Sequence, residues 1–267
     1  MASESQSYVA DLASHLESHQ YGAKASNLSV LATSGYPVPS GIALSVAGAR
    51  GFGATAEAST REAVLAEICA SSFFESLKSG ADCLIVRSSS PEEDGVRSSY
   101  AGIFRSVPGV PPDRHSLARA LDVCVGSATS DSAELYRRAV GSRQIGRLMG
   151  AVVQSMVDVK ANGVIFTDVR SSIGNVVLIE YNIGKLSTVV SGMEVPGRCV
   201  INRANGRSVG SSHTCDSSMG TLTSDLFALA IRIEFQMGGP QDIEWVYDGR
   251  SVWVVQSRPI TRDVFIR

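Results

Sequence analysis

Lysine is scarce in this chain: of 24 basic residues only four, Lys24, Lys78, Lys160 and Lys185, are lysines. Where arginine is the default cation, a lysine marks a place that favours a compact, point-like charge. Long apolar runs are also missing, none approaching the roughly 18 residues of a membrane span. The N-terminus, MASESQSYVADLASH, lacks the basic-plus-apolar pattern of a secretion signal. No membrane association is expected, and the location expected is cytoplasmic. A net charge of −2 gives no electrostatic case for nucleic acid. The five cysteines, Cys69, Cys83, Cys124, Cys199 and Cys215, are scattered and form no CxxC pair. They read as reduced thiols of a cytoplasmic protein. The four histidines, His15, His19, His115 and His213, show no metal-ligand grouping.

What is present concentrates at Gly238–Ile260, GGPQDIEWVYDGRSVWVVQSRPI. Two apolar runs flank Asp248-Gly249, a strong hairpin signal. Asp242 and Glu244 alternate with Ile243 and Trp245, so both carboxylates share one face of the first strand; Gln256 and Arg258 share a face of the second. Whether the two polar faces coincide depends on the turn. A two-residue loop, Asp248-Gly249, puts Gln256 on the wrong face. A three-residue loop, Tyr247-Asp248-Gly249 with Gly249 left-handed, or some other bulge, joins Gln256 and Arg258 to the carboxylates. Hard oxygen ligands beside a guanidinium suit magnesium with a polyphosphate; an ordinary amphipathic hairpin with a solvated polar face fits the same alternation.

Upstream, residues 6–19 read as an amphipathic helix, and Lys24–Ser34 as another that Gly35 stops before Pro37 and Pro39. Lys24 therefore sits at a helix start, where free N–H groups favour an anion, although a lysine near a turn is also often merely solvated. Residues 58–78 read as one helix. CLIVR (83–87) is a short buried strand delivering Arg87 to the loop SSSPEEDGVRSSYAG, a plausible phosphate grip. The acidic cluster Glu92-Glu93-Asp94 reads as solvated surface. IFRSVPGV resumes as a strand, and Arg114–Leu148 supplies two or three helices. From 150 onward the runs MGAVVQSMV, GVIFTDV and NVVLIEYNIG suggest an antiparallel sheet, with a last helix over Leu222–Met237. The expected class is α+β in two lobes, 1–150 and 151–267.

Five segments in order, GAKASNLSVLATSGYPVPSGIALS, LIVRSSSPEEDGVRSSYAG, MGAVVQSMVDVKANGVIFT, VVLIEYNIG with TVVSG, and PQDIEW with VVQSRPIT, resemble the N-terminal nucleotide-binding region of phosphoenolpyruvate synthase and pyruvate phosphate dikinase. They span about residues 20–262. The resemblance implies an ATP-grasp fold with the nucleotide in the cleft between two lobes, and ATP with Mg2+ as cofactors. It implies Lys24 and Arg87 as phosphate-binding cations and Arg258 as the arginine reaching the distal phosphates. Glu244 and Gln256 match the metal-ligating pair, with Asp242 adjacent. Gln154 and the backbone of Met156 and Val157 occupy the place of the interlobe hinge that holds the adenine edge.

The chain also departs from that pattern. A GLGE-type turn, whose glutamate is expected on the ribose, is replaced by Gly184-Lys185-Leu186-Ser187. Either Glu180 serves the ribose, or nucleotide affinity is reduced, or a nucleotide other than ATP is accepted. Ile103-Phe104 stands where the family tends to polar residues. The sequence ends at Arg267, directly after the hairpin, so the family's later histidine and pyruvate domains are expected to be absent. Three functions follow as expectations: a phosphotransferase acting directly on a small-molecule acceptor, the ATP-binding subunit of a split enzyme with a histidine-domain partner protein, or a weakened nucleotide-binding module. An ATP-dependent ligase shares the first step. No general base is marked in the sequence.

Overall fold

The computed structural model describes residues 7–77, 83–91, 93, 103–139, 148–172, 174–184, 196–209, 219–260 and 265–266. The chain forms two compact units, Met1–Gly35 with Pro39–Met156, and Tyr36–Val38 with Val157–Arg267. The second unit begins six residues beyond a division at 150/151 and also takes in Tyr36–Val38.

The first unit is built on a five-stranded antiparallel sheet of order β1-β2-β5-β3-β4. Its strands are β1 (Val9–Asp11), β2 (Gly41–Leu44), β3 (Leu84–Ser89), β4 (Ser106–Val110) and β5 (Gly150–Ser155). GIAL, LIVRSS and GAVVQS are buried along nearly their whole length and take the central places, their core side chains on one face and Arg87 with Gln154 on the other. Ile42, Leu44, Leu84, Val86, Ala151 and Val153 join one core with Val64, Leu65 and Ile68 of α3 (Ala58–Cys69) and Leu117, Leu121 and Cys124 of α5 (Arg114–Gly126). Strand β5, where the second lobe was expected to start, is thus a central strand of the first sheet. Helix α2 (Ala23–Thr33) buries Ala25, Leu28 and Leu31 and stops at Gly35, whose φ of 79° favours glycine. Helix α6 (Asp131–Ala139) completes the described part of the unit.

Two expectations fail here. Instead of a helix over 6–19, Val9–Asp11 pairs with β2, and only Ser18–Tyr21 (α1) is helical. Asp11 accepts from the Ala13 N–H at 2.7 Å, and this side-chain turn ends the strand where a helix would have continued. The single helix over 58–78 is broken at Ala70-Ser71. Ser71 caps a second helix, α4 (Ser72–Ser76), by accepting from the Phe74 N–H at 3.2 Å, which lets Phe73 and Phe74 turn into the core.

The second unit carries β10-β9-β6-β7-β8 as an antiparallel ladder, with β11 parallel to β6. These are β6 (Ala161–Ser171), β7 (Gly174–Ile183), β8 (Gly197–Asn202), β9 (Gln241–Tyr247), β10 (Val252–Pro259) and β11 (Phe265–Ile266). Ile165, Ile179 and Ile243 share one face by register and are fully buried. Helix α7 (Gly220–Met237) covers that face with Leu226, Ala230 and Ile233; Thr223 Oγ1 lies 3.8 Å from Cys199 Sγ, opposite Ile179. The α+β class is as expected. Cys69, Cys83 and Cys124 are free thiols, but Cys199 is disulfide-bonded, which corrects the all-reduced reading. Spacing along the chain carries no information on such a pairing; Cys215 lies outside the described residues. Among the described residues no helix is long and apolar enough to cross a membrane.

Candidate functional site

Gln256 does come to face Glu244, through a bulge within the second strand and not through a three-residue loop. Tyr247 pairs with Val252, leaving a four-residue connection, Asp248–Ser251, with Gly249 left-handed at φ 98°. The Asp248 carboxylate holds this turn, accepting from the N–H groups of Arg250 and Ser251, both at 2.7 Å, and from Trp253 Nε1–H at 2.9 Å. These donors hold its carboxyl below the usual carboxylate range, Trp253 contributing most. Such a loop alone would set Val255 opposite Glu244. A register shift between Val254 and Gln256 leaves Val255 as an extra residue, and Gln256 then pairs with Glu244 and Arg258 with Asp242.

The pairing continues across the sheet. Glu244 is opposite Val164, Val164 opposite Glu180, and Glu180 opposite Arg198, so one face carries a row of Gln256, Glu244, Val164, Glu180 and Arg198. Arg198 Nε donates to Glu180 Oε1 at 2.7 Å. The next row carries Arg258, Asp242 and Phe166. This face is the one opposite α7.

Arg258 approaches a single carboxylate oxygen, with Nε and Nη2 at 2.9 and 2.6 Å from Asp242 Oδ2. Asp242 is buried, and burial pushes its carboxyl above the usual range even though Arg258 pulls it down; Glu244 adds to the rise. A buried carboxyl beside a second carboxylate is a place where further positive charge is stabilised. Among the described residues no three His, Cys, Asp or Glu side chains cluster as a self-sufficient metal cage. The donor set nonetheless fits magnesium, which takes one or two carboxylates and completes its shell with water and phosphate oxygens. Glu244 and the Gln256 amide would hold it, with Asp242 beside them.

In the first unit, Arg87 and Gln154 share a face, since Arg87 pairs with Val152 and Gln154 with Ile85. Gln154 is buried and donates through Nε2 to the Pro39 carbonyl at 2.9 Å. The Met156 N–H donates to the Cys83 carbonyl at 2.8 Å, so that backbone donor is engaged, while the Met156 side chain is exposed. Val157 opens the second unit. Lys24 is buried, with Nζ 2.7 Å from the Ser88 carbonyl and 3.1 Å from Glu93 Oε1. The start of α2 is fitted closely to β3: Ser89 Oγ accepts from the Ala25 N–H, and a Cβ at Gly22 would fall 2.0 Å from the Ser89 carbonyl oxygen. Nearby Cys124 has its thiol pushed up to about 12 by burial, modulated by Lys24, Glu93 and Arg87.

Glu93 corrects the reading of the acidic cluster as solvated. It is buried, pairs with Lys24 through one oxygen, and accepts from the Ser90 N–H through the other at 3.3 Å. Glu92, Asp94, Lys185 and Ser187 lie outside the described residues. Sequence reasoning also passed over Arg198 and Asn162, which alternation within GRCVIN and ANGVIF places on the carboxylate-bearing face once the pairing is known.

The profile of the family described as "Pyruvate phosphate dikinase, AMP/ATP-binding domain" matches residues 59–226 and 219–264. Lys24 lies ahead of that span. Over 66% of this chain, a "Probable phosphoenolpyruvate synthase" of Archaeoglobus fulgidus is 30% identical, the match covering 26% of that protein. "Prodigiosin synthesizing transferase PigC" of Serratia marcescens is 28% identical over 92% of this chain and 32% of its own length. A "Rifampicin phosphotransferase" of Streptomyces sp is 30% identical over 66% of this chain and 23% of its own. The chain thus spans no more than a third of the length of these relatives. With the profile covering well over half its residues, the chain belongs to the pyruvate phosphate dikinase AMP/ATP-binding domain family.

Proposed function

We propose that the chain is an ATP-dependent phosphotransferase of ATP-grasp type, moving a phosphoryl group from Mg-ATP to a small-molecule acceptor and leaving ADP. The observation that carries this reading is the grouping of Glu244, Gln256, Asp242 and Arg258 on one sheet face. Phosphoryl transfer asks little covalent chemistry of the protein; it asks for positioning and for charge stabilisation. Arg258 would supply a fixed cation to the distal phosphates, with Asp242 orienting its guanidinium. Magnesium, when bound, would neutralise charge on the phosphate oxygens. Lys24 and Arg87 are the further phosphate cations of the proposal. Lys24 is already held by Glu93, so a phosphate oxygen would replace or join a carboxylate oxygen at Nζ. Gln154, Met156 and Val157 would hold the adenine edge and Glu180 the ribose. The relative named a rifampicin phosphotransferase favours a small-molecule acceptor.

The test is acceptor-dependent ATP consumption by the chain with Mg2+ across alcohols, amines and carboxylates. Zero turnover throughout the panel counts against it. A second reading, favoured by the match to a probable phosphoenolpyruvate synthase, is the ATP-binding subunit of a split enzyme that phosphorylates a histidine on a partner protein. Phosphohistidine on a co-purified partner would establish that route.

A further inference from the structure

Asn162 lies on the carboxylate-bearing face of the second unit's sheet, paired with Val246 on one side and Asn182 on the other. The residue is 5% exposed, and Nδ2 is buried with no hydrogen-bond partner. A buried amide donor left unmade destabilises a fold, so native structures rarely keep one without a use. Trp245 Nε1 is orphaned too, but by register it lies on the face that α7 covers. Asn162 instead shares its face with Glu244, Glu180, Gln256 and Asp242.

The register gives this face a direction. At about 3.3 Å per residue, alternate positions on a strand lie about 7 Å apart. Along β9 the rows are Val246 with Asn162, then Glu244 with Gln256 and Glu180, then Asp242 with Arg258. The arginine end suits the distal phosphates and the middle row suits a metal bridging phosphate oxygens. A nucleotide laid along this axis brings its nucleoside part to the first row. Asn162 also follows Val157, the proposed adenine segment, by only five positions.

We infer that Asn162 is a nucleoside-binding residue, its Nδ2–H donating to an acceptor atom on the base or sugar of the bound nucleotide. The inference rests on the reading that ATP binds over this face. The orphan donor is a cost in the ligand-free protein that bound nucleotide removes, so its deletion should move stability and affinity in opposite directions. Asn162→Leu, with the same branching and without the amide, is expected to raise the melting temperature of the ligand-free chain and to weaken ATP binding in Mg2+ about tenfold. Inorganic tripolyphosphate, which has no nucleoside, is expected to bind wild type and variant alike. Asn162→Ala repeats the affinity comparison should the leucine variant fail to fold. Unchanged ATP affinity in a folded variant overturns the inference, as does an equal loss of ATP and tripolyphosphate binding. Wild type that binds no ATP refutes instead the reading beneath it.

Discussion

Gln256 stands directly across from Glu244 because Val255 drops out of the β9–β10 ladder. Without that single extra residue the even turn at Asp248–Ser251 would send Gln256 to the α7 side of the sheet and leave Glu244 beside an apolar partner. The bulge therefore defines the proposed metal site. Glu244→Gln preserves volume and removes the charge that would hold the cation. Mg2+-dependent ATP turnover should fall on the order of 100–1000-fold, with the melting temperature little changed. Steady-state assays beside thermal melts check this.

Arg258 opposes the effect of burial on Asp242. In Arg258→Ala that opposition is gone, so the Asp242 carboxyl should titrate at higher pH than in wild type, with turnover reduced on the order of 100-fold. Nuclear magnetic resonance of the labelled aspartate carboxyl follows the first quantity and ATP consumption the second. Wild-type rates in this variant would remove Arg258 from the proposed site.

Lys24 and Glu93 form a buried pair, their side chains 5% and 9% exposed. Removing one partner of such a pair strands a charge and costs about 3–5 kcal/mol. Glu93→Ala should therefore melt well below wild type, and Lys24→Met should do the same from the other side. Denaturant unfolding of the single and double variants gives the coupling; near-additive losses would show the two groups to be independent.

Acid stability follows from the depressed carboxyls. Glu234 is drawn up by burial but is held below its ordinary 4.5 by Arg203 and Thr167. Asp122 is likewise drawn up by burial and held below its ordinary 3.8 by Arg61 and the Gly53 N–H. A carboxyl lowered by folding contributes stability above its unfolded value, and that contribution disappears as pH falls through the folded one. Asp242 has the opposite sign: its raised carboxyl favours folding when protonated and opposes it as pH rises. Melting temperature should thus decline from about pH 4.5 downward. Glu234→Gln should start lower at neutral pH and lose less on acidification.

The turn offers a structural check. Asp248→Ala removes the acceptor of two backbone N–H groups and of the Trp253 indole. These groups are close to solvent, so a loss of about 1 kcal/mol is expected, with broadened hydrogen-exchange protection confined to the hairpin.

Much of this was legible in the sequence for a simple reason. Alternation within DIEW and QSR fixes which side chains share a strand face whatever the tertiary context, and Gly35 after an apolar stripe ends a helix by backbone sterics. The features that escaped notice depend on partners far away in the chain. Val9–Asp11 became a strand because Ile42–Leu44 offered an edge, overriding a helical pattern. Ser71 broke a continuous apolar period by capping locally. Glu93 looked solvated in an acidic run until Lys24, 69 residues away, was found against it. The bulge at Val255 leaves no mark in composition, since no glycine signals it.

Calorimetric titration of ATP into the chain, with and without Mg2+, tests the central claim most directly when wild type is compared with Glu244→Gln. Binding that requires Mg2+ in wild type and is lost in the variant is the predicted result. Equal affinity in both proteins, or binding indifferent to Mg2+, would contradict it.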